Sequence, residues 1–164
     1  MAIRQFAVDR FSIISSKPFA DVLSSLEAAI GHPDMRDFGQ KMAAAKSWQE
    51  LEQVVRAVLG PSGFMEFTRF NLGLVIAKDK GSSAPKIVRL VVGNPLIMKQ
   101  MAEHVPDTAS YAPVTILIDE RVDGVHLSYD LMVSYLTPYG NLAALRVARD
   151  LDAKVEALLR SAAE

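Results

Sequence analysis

The sequence predicts an α+β fold, a mainly antiparallel sheet of about five strands with helices packed on one face. Apolar residues recur at helical spacing through most of residues 18–60 and again from about residue 141 to the C-terminus. Stretches of two-residue alternation come as neighbouring pairs, 64–77 with 86–92 and 114–119 with 124–136, each joined by polar turn residues. Helices and strands do not alternate singly, as a doubly wound parallel sheet would require.

Taken in order, residues 4–14 form a first strand whose alternation shifts phase near Asp9. Ser15-Ser16-Lys17-Pro18 starts a helix, a small polar cap followed by proline. Phe19, Val22, Leu23, Leu26 and Ile30 share its apolar face, and Gly31 ends it. Pro33 and Asp34 open a second helix, and Ser47 with Glu50 makes a capping-box pattern for a third, stopped by Gly60-Pro61. Residues 64–77 and 86–92 are strands around the loop 78–85. A strand, a Gly93-Asn94-Pro95 turn and a helix to about Val105 follow. Residues 114–119 and 124–136 form a second hairpin around Asp123-Gly124, and a last helix begins near Pro138 or Asn141.

The 164 residues fit one domain, 1–164. Half are hydrophobic and 23% are charged, a balance that excludes a disordered chain. The formal net charge of −1 argues against nucleic acid as a partner, because phosphate neutralisation supplies most of a nucleic-acid binder's affinity. With no cysteine there is no disulfide, zinc ribbon or thiol nucleophile. No apolar run approaches the roughly 20 residues of a membrane span, and the N-terminus lacks the build of a signal peptide. The expected location is cytoplasmic, with no membrane partner.

Candidate chemistry is sparse. Gly93-Asn94-Pro95 reads as a strand exit, a cap and a first helical position, and exposed amides at such a start attract anions. No lysine or hydroxyl follows in phosphate-loop spacing. In the strand 125–136, His126, Ser128 and Asp130 fall on one face and Val125, Leu127, Tyr129, Leu131, Val133 and Tyr135 on the other. Neighbours on one strand face stand about 6.5–7 Å apart, too far for the direct hydrogen bonds of a triad. Arg69, between apolar neighbours, suits an acidic ligand through its guanidinium fork, against the commoner arrangement in which such an arginine pairs with an acid of the chain or points to water. His32, His104 and His126 form no metal-binding spacing, so no metal site is assigned. The methionines at apolar positions act as gap-fillers or line an adaptable pocket.

The run Leu90-Val91-Val92-Gly93-Asn94-Pro95, then Ala112-Pro113-Val114-Thr115-Ile116-Leu117-Ile118, Asp123-Gly124 and Val133-Ser134-Tyr135-Leu136-Thr137-Pro138, resembles the family known as domain of unknown function 302. The resemblance covers roughly residues 86–140. It implies a compact α+β fold and a homodimer, and no established reaction. Two departures stand out, a longer helical stretch near 33–60 and an extended strand before Tyr135.

Three functions are weighed on this basis. The first is a homodimeric small-molecule binding or sensing module, with Arg69, Asn94 and Tyr135 as ligand-binding residues around an apolar cavity. The second is an enzyme acting on a small anionic substrate, with Tyr135 or His126 as proton donor and Arg69 as anion holder. The third is a pure protein-interaction module. No cofactor and no catalytic residue is assigned from the sequence.

Overall fold

The computed structural model describes residues 3, 5–80 and 84–164. Five strands, β1 (Arg10–Ser15), β2 (Met65–Asn71), β3 (Ile87–Gly93), β4 (Val114–Arg121) and β5 (Gly124–Asp130), form one sheet in the order β1-β5-β4-β3-β2. Every neighbouring pair is antiparallel. β1, distant in sequence from the β5 strand it flanks, and β2 are the two edges.

Seven α-helices are described, mostly on one side of that sheet. α1 (Phe19–Ala29) and α7 (Leu142–Ala163) lie over its buried face, where Val88, Leu90, Ile116, Ile118 and Leu127 meet Val22, Leu26 and Val155. Alternation along β3, β4 and β5 delivers these residues to one face, as the two-residue strand period requires. α7 is 22 residues and about 33 Å long. Asn141 caps it by accepting from the Ala144 amide at 3.0 Å, and the Ser15 hydroxyl ties its far end to β1 by donating to the Ala163 carbonyl at 2.6 Å.

α2 (Met35–Ala44) and α3 (Trp48–Arg56) make a smaller second core in which Phe38 and Val55 pack on Met65 and Leu96. Their caps are as the residue types predict. Asp34 accepts from Arg36 and Asp37, and Ser47 accepts from Glu50. The Glu50 carboxylate closes the reciprocal bond on the amide of Lys46 at 2.7 Å, one residue before the cap.

Two expected strands are shorter than the alternation suggests, and a helix takes the remainder of each. The stretch 64–77 ends as strand at Asn71. Residues Gly73–Lys80 form α4, and Gly73 approaches the returning chain so closely that a Cβ there would stand 3.0 Å from the Pro85 carbonyl oxygen. β2 and β3 are therefore antiparallel neighbours joined through a helix. Of the expected loop 78–85, residues 81–83 lie outside the described residues. The stretch 124–136 ends as strand at Asp130, and Met132–Leu136 form α6. The cause is a distant side chain. Asp152 of α7 accepts from the amides of Met132 at 2.7 Å and Val133 at 3.0 Å, satisfying donors that a new helix leaves free. Tyr135 therefore stands on a helix. The first strand is also shorter than residues 4–14: regular pairing begins at Arg10, and Arg4 lies outside the described residues. Asp9, at the phase shift, accepts from the Leu131 amide and donates its own amide to the Ser134 hydroxyl. α5 (Pro95–Ala102) is shorter than the expected helix to Val105.

Candidate functional site

The side of the sheet away from α1 and α7 presents the residues between the core positions. Strand register sets them in rows. Phe70, Arg89, Leu117, Ser128 and Ser12 are opposed in turn from β2 to β1, and Thr68, Val91 and Thr115 form the row beside them, with the Arg10–Asp130 pair at its far side. Over these rows lies a cleft of about 620 Å³. Val91, Thr115, Leu117 and Ser128 are its floor, and Arg10, Arg89 and Asp130 are its charged groups.

One wall is aromatic. Tyr111 and Tyr135 stack with centroids 4.7 Å apart and planes 17° from parallel, and Phe6 meets Tyr135 edge-on at 6.1 Å. The Tyr111 hydroxyl is 3.3 Å from that of Tyr139, and the Asp130 charge acts on the Tyr135 phenol. Arg10 grips Asp130 through two bonds, Nε to Oδ1 at 2.6 Å and Nη2 to Oδ2 at 3.0 Å. That hydrogen bonding holds the Asp130 carboxyl below its ordinary range. Burial, followed by the Asp130 charge, raises the Tyr135 phenol above its own, so the phenol keeps its proton at neutral pH.

α6 holds Tyr135 in place, and its anchor is the buried Asp152. Besides the two amides, this carboxylate accepts the Tyr129 hydroxyl at 2.6 Å. Burial pushes the Tyr129 phenol far above its ordinary value. Burial also raises Asp152, against the three hydrogen bonds that favour its charged form.

A second cavity of about 220 Å³ sits at the Gly93-Asn94-Pro95 turn, lined mainly by Phe38, Met42, Phe67, Met98 and Met101. Gly93 is needed there for close packing, since a Cβ would stand 3.2 Å from the Pro113 Cβ. Asn94 uses both ends of its amide structurally. It accepts from the Leu96 amide at 2.9 Å to cap α5, and it donates to the Gly63 carbonyl at 3.0 Å.

The three residues singled out in the sequence do not converge. Tyr135 lines the open-face cleft and Asn94 borders the second cavity. Arg69 pairs opposite Leu90 and so faces the helices, where Glu66 and Glu27 both bind its guanidinium. His126 is on the open face, 2.8 Å from Asp123. Arg69 and His126 thus lie on opposite sides of the sheet, which separates the anion holder of the enzymatic reading from its proton donor. Among the described residues, no three His, Asp or Glu side chains are grouped to hold a metal ion.

A family model described as "Domain of unknown function DUF302" matches residues 40–162. The chain belongs to that family. The matched span takes in α3, so most of the helical stretch near 33–60 lies within the DUF302 domain. A solved structure, the "uncharacterized conserved protein DUF302 from Bacillus stearothermophilus", is similar with a TM-score of 0.64 over 93% of this chain and 97% of that chain. Sequence identity between the two is 12%, so the likeness speaks to the fold. No curated protein matches the chain.

Several residues that shape the cleft escaped the sequence reading. Arg89 carries the same signal as Arg69, a lone charge among apolar strand residues. Asp152 is an acid within the apolar stripe of α7, between Ala148 and Val155, and that position alone marks it. Tyr111 and Arg10 have no comparable local signal.

Proposed function

We propose that the chain acts as one domain that binds a small molecule in the open-face cleft. The observation that carries this reading is the cleft itself, about 620 Å³ with a mixed apolar and hydroxyl floor, an aromatic wall and a few fixed polar groups. Small-molecule sites typically occupy roughly 300–1,000 Å³ and are built in this way. Tyr135 serves as a wall residue in this reading. Asn94 contributes by holding α5, and Arg69 lies away from the ligand.

A thermal-shift screen of acids, nucleotides, lipids and haem tests the reading. A ligand at 100 times its dissociation constant should stabilise the fold by about 2.7 kcal/mol. A screen in which no compound raises the melting temperature counts against it.

A homodimer is part of the same proposal. It is supported by the β2 edge, beside which Phe70, Leu72, Leu74 and Val75 expose apolar surface, with Val75 73% exposed. Sedimentation at micromolar concentration should give twice the chain mass, and a monomer there would remove the dimer. The cytoplasm remains the proposed compartment, on the lack of cysteine in the chain. Among the described residues no helix is long and apolar enough to cross a membrane.

A further inference from the structure

We propose that the ligand of the open-face cleft is a planar ring bearing an anionic group, and that Arg89 is the residue that holds the anion. The inference rests on the reading of that cleft as a small-molecule site. It begins with the charges. Arg10, Arg89 and Asp130 are the charged side chains lining the cleft, which leaves it with one net positive charge on a chain whose formal net charge is −1. Arg10 and Asp130 satisfy each other through paired bonds. Arg89 has no carboxylate within ion-pair distance among the described residues, and its cross-strand neighbours are Phe70 and Leu117. Its guanidinium lies over the Phe70 ring, 5.6 Å from the centroid, which orients the fork without neutralising it. A guanidinium held in this way matches the oxygens of a carboxylate, sulfonate or phosphate.

The rest of the cleft describes what the anion is attached to. Tyr111 and Tyr135 stack with centroids 4.7 Å apart, and the Tyr111 hydroxyl lies against that of Tyr139, so the wall offers ring surface and edges. Val91 and Leu117 supply the apolar part of the floor, beside the hydroxyls of Thr115 and Ser128. From Arg89 on β3 to Asp130 on β5 is two strand spacings across and two residues along, about 12 Å. That span accommodates an aromatic acid lying across the strands, with its anion at Arg89 and its ring towards the tyrosines.

A matched pair of fluorescent probes tests the assignment in the full chain: anilinonaphthalene sulfonate, and phenylnaphthylamine, a neutral compound with the same rings. Arg89 is exposed, so Arg89→Ala should fold as the wild type does, which its melting temperature checks. The sulfonate should bind the wild type, and its dissociation constant should rise by at least about tenfold in Arg89→Ala, the usual scale of a charge-assisted bond. Arg89→Lys, which keeps the charge and loses the fork, should fall between. The neutral probe should bind more weakly and be indifferent to both changes. Amide shifts on adding the sulfonate should appear at Val91, Leu117 and Ser128. If both probes bind the cleft equally and Arg89→Ala has no effect, the anion assignment fails while the small-molecule reading stands. Shifts at Phe38 and Met98 instead would place the probe in the second cavity and overturn the assignment. Binding of neither probe, together with a blank metabolite screen, would overturn both readings.

Discussion

Gly31→Ala is expected to destabilise the fold by roughly 3 kcal/mol or more, the upper end of forced overpacking, since the neighbours are rigid. Gly31 and Gly60 mark a crossing of two backbones, and the Phe64 carbonyl accepts from both of their amides at 2.9 Å. A Cβ on Gly31 would collide with the Val58 carbonyl oxygen and stand 2.8 Å from the Gly60 nitrogen. All of these are main-chain atoms, so no side chain can swing aside. The crossing fixes where α1 ends and β2 begins, because Gly31 also bridges to Met65 and its carbonyl accepts from the Glu66 amide at 2.8 Å. Gly39 is the control. It lies inside α2 with open space where a Cβ would go, so Gly39→Ala should stabilise by roughly 0.5–1 kcal/mol. Urea unfolding of the two variants measures both signs, and equal stability of Gly31→Ala and wild type would refute the crossing.

Asp152→Ala should cost a similar roughly 3–5 kcal/mol, because it strands the Tyr129 hydroxyl and the amides of Met132 and Val133 around a buried site. Asp152→Asn keeps one acceptor oxygen and should lose less. The pH dependence separates the carboxylate from its shape. Burial raises the native pKa of Asp152 above the ordinary 3.8, so the folded state binds this proton more tightly than the unfolded chain. The corresponding stability is fully present below 3.8 and is lost as the pH rises through the native value. The advantage of wild type over Asp152→Asn should therefore be largest at the acid end of that window and shrink upward. Denaturant titrations at a series of pH values measure it, and an advantage that grows with pH would reverse the sign of the shift.

The limits of local pattern are clearest where α6 and α4 replace strand. Alternation from Val125 to Tyr135 continues without a break, yet pairing stops at Asp130 because Asp152, on another helix, supplies acceptors for a new helical turn. β2 stops at Asn71, two residues before Gly73 packs against the returning chain at Pro85. In both places the deciding contact is tertiary, and local periodicity carries no trace of it. The caps at Asp34, Ser47 and Asn94 and the three-piece helical stretch were legible because each depends on residues within a few positions, and the sheet was legible only as paired stretches of alternation, since its closing pair, β1 with β5, joins residues more than 100 positions apart. The candidate site divides in the same way. Tyr135 stands out in the sequence and lines the cleft. Arg69 stands out equally, but pairing with Glu27, on a helix 42 residues earlier, turns it to structural use. Arg89 has the same local context with no acid opposite, and only the strand register distinguishes the two arginines.

Occupancy of the open-face cleft is tested most directly by filling it. Thr115 is exposed on the cleft floor in the row of Val91, and a strand accepts tryptophan readily. Compounds that raise the melting temperature of the wild type should leave that of Thr115→Trp unchanged, while the two proteins melt alike without them. Equal stabilisation of both by the same compounds would contradict the cleft as the binding site.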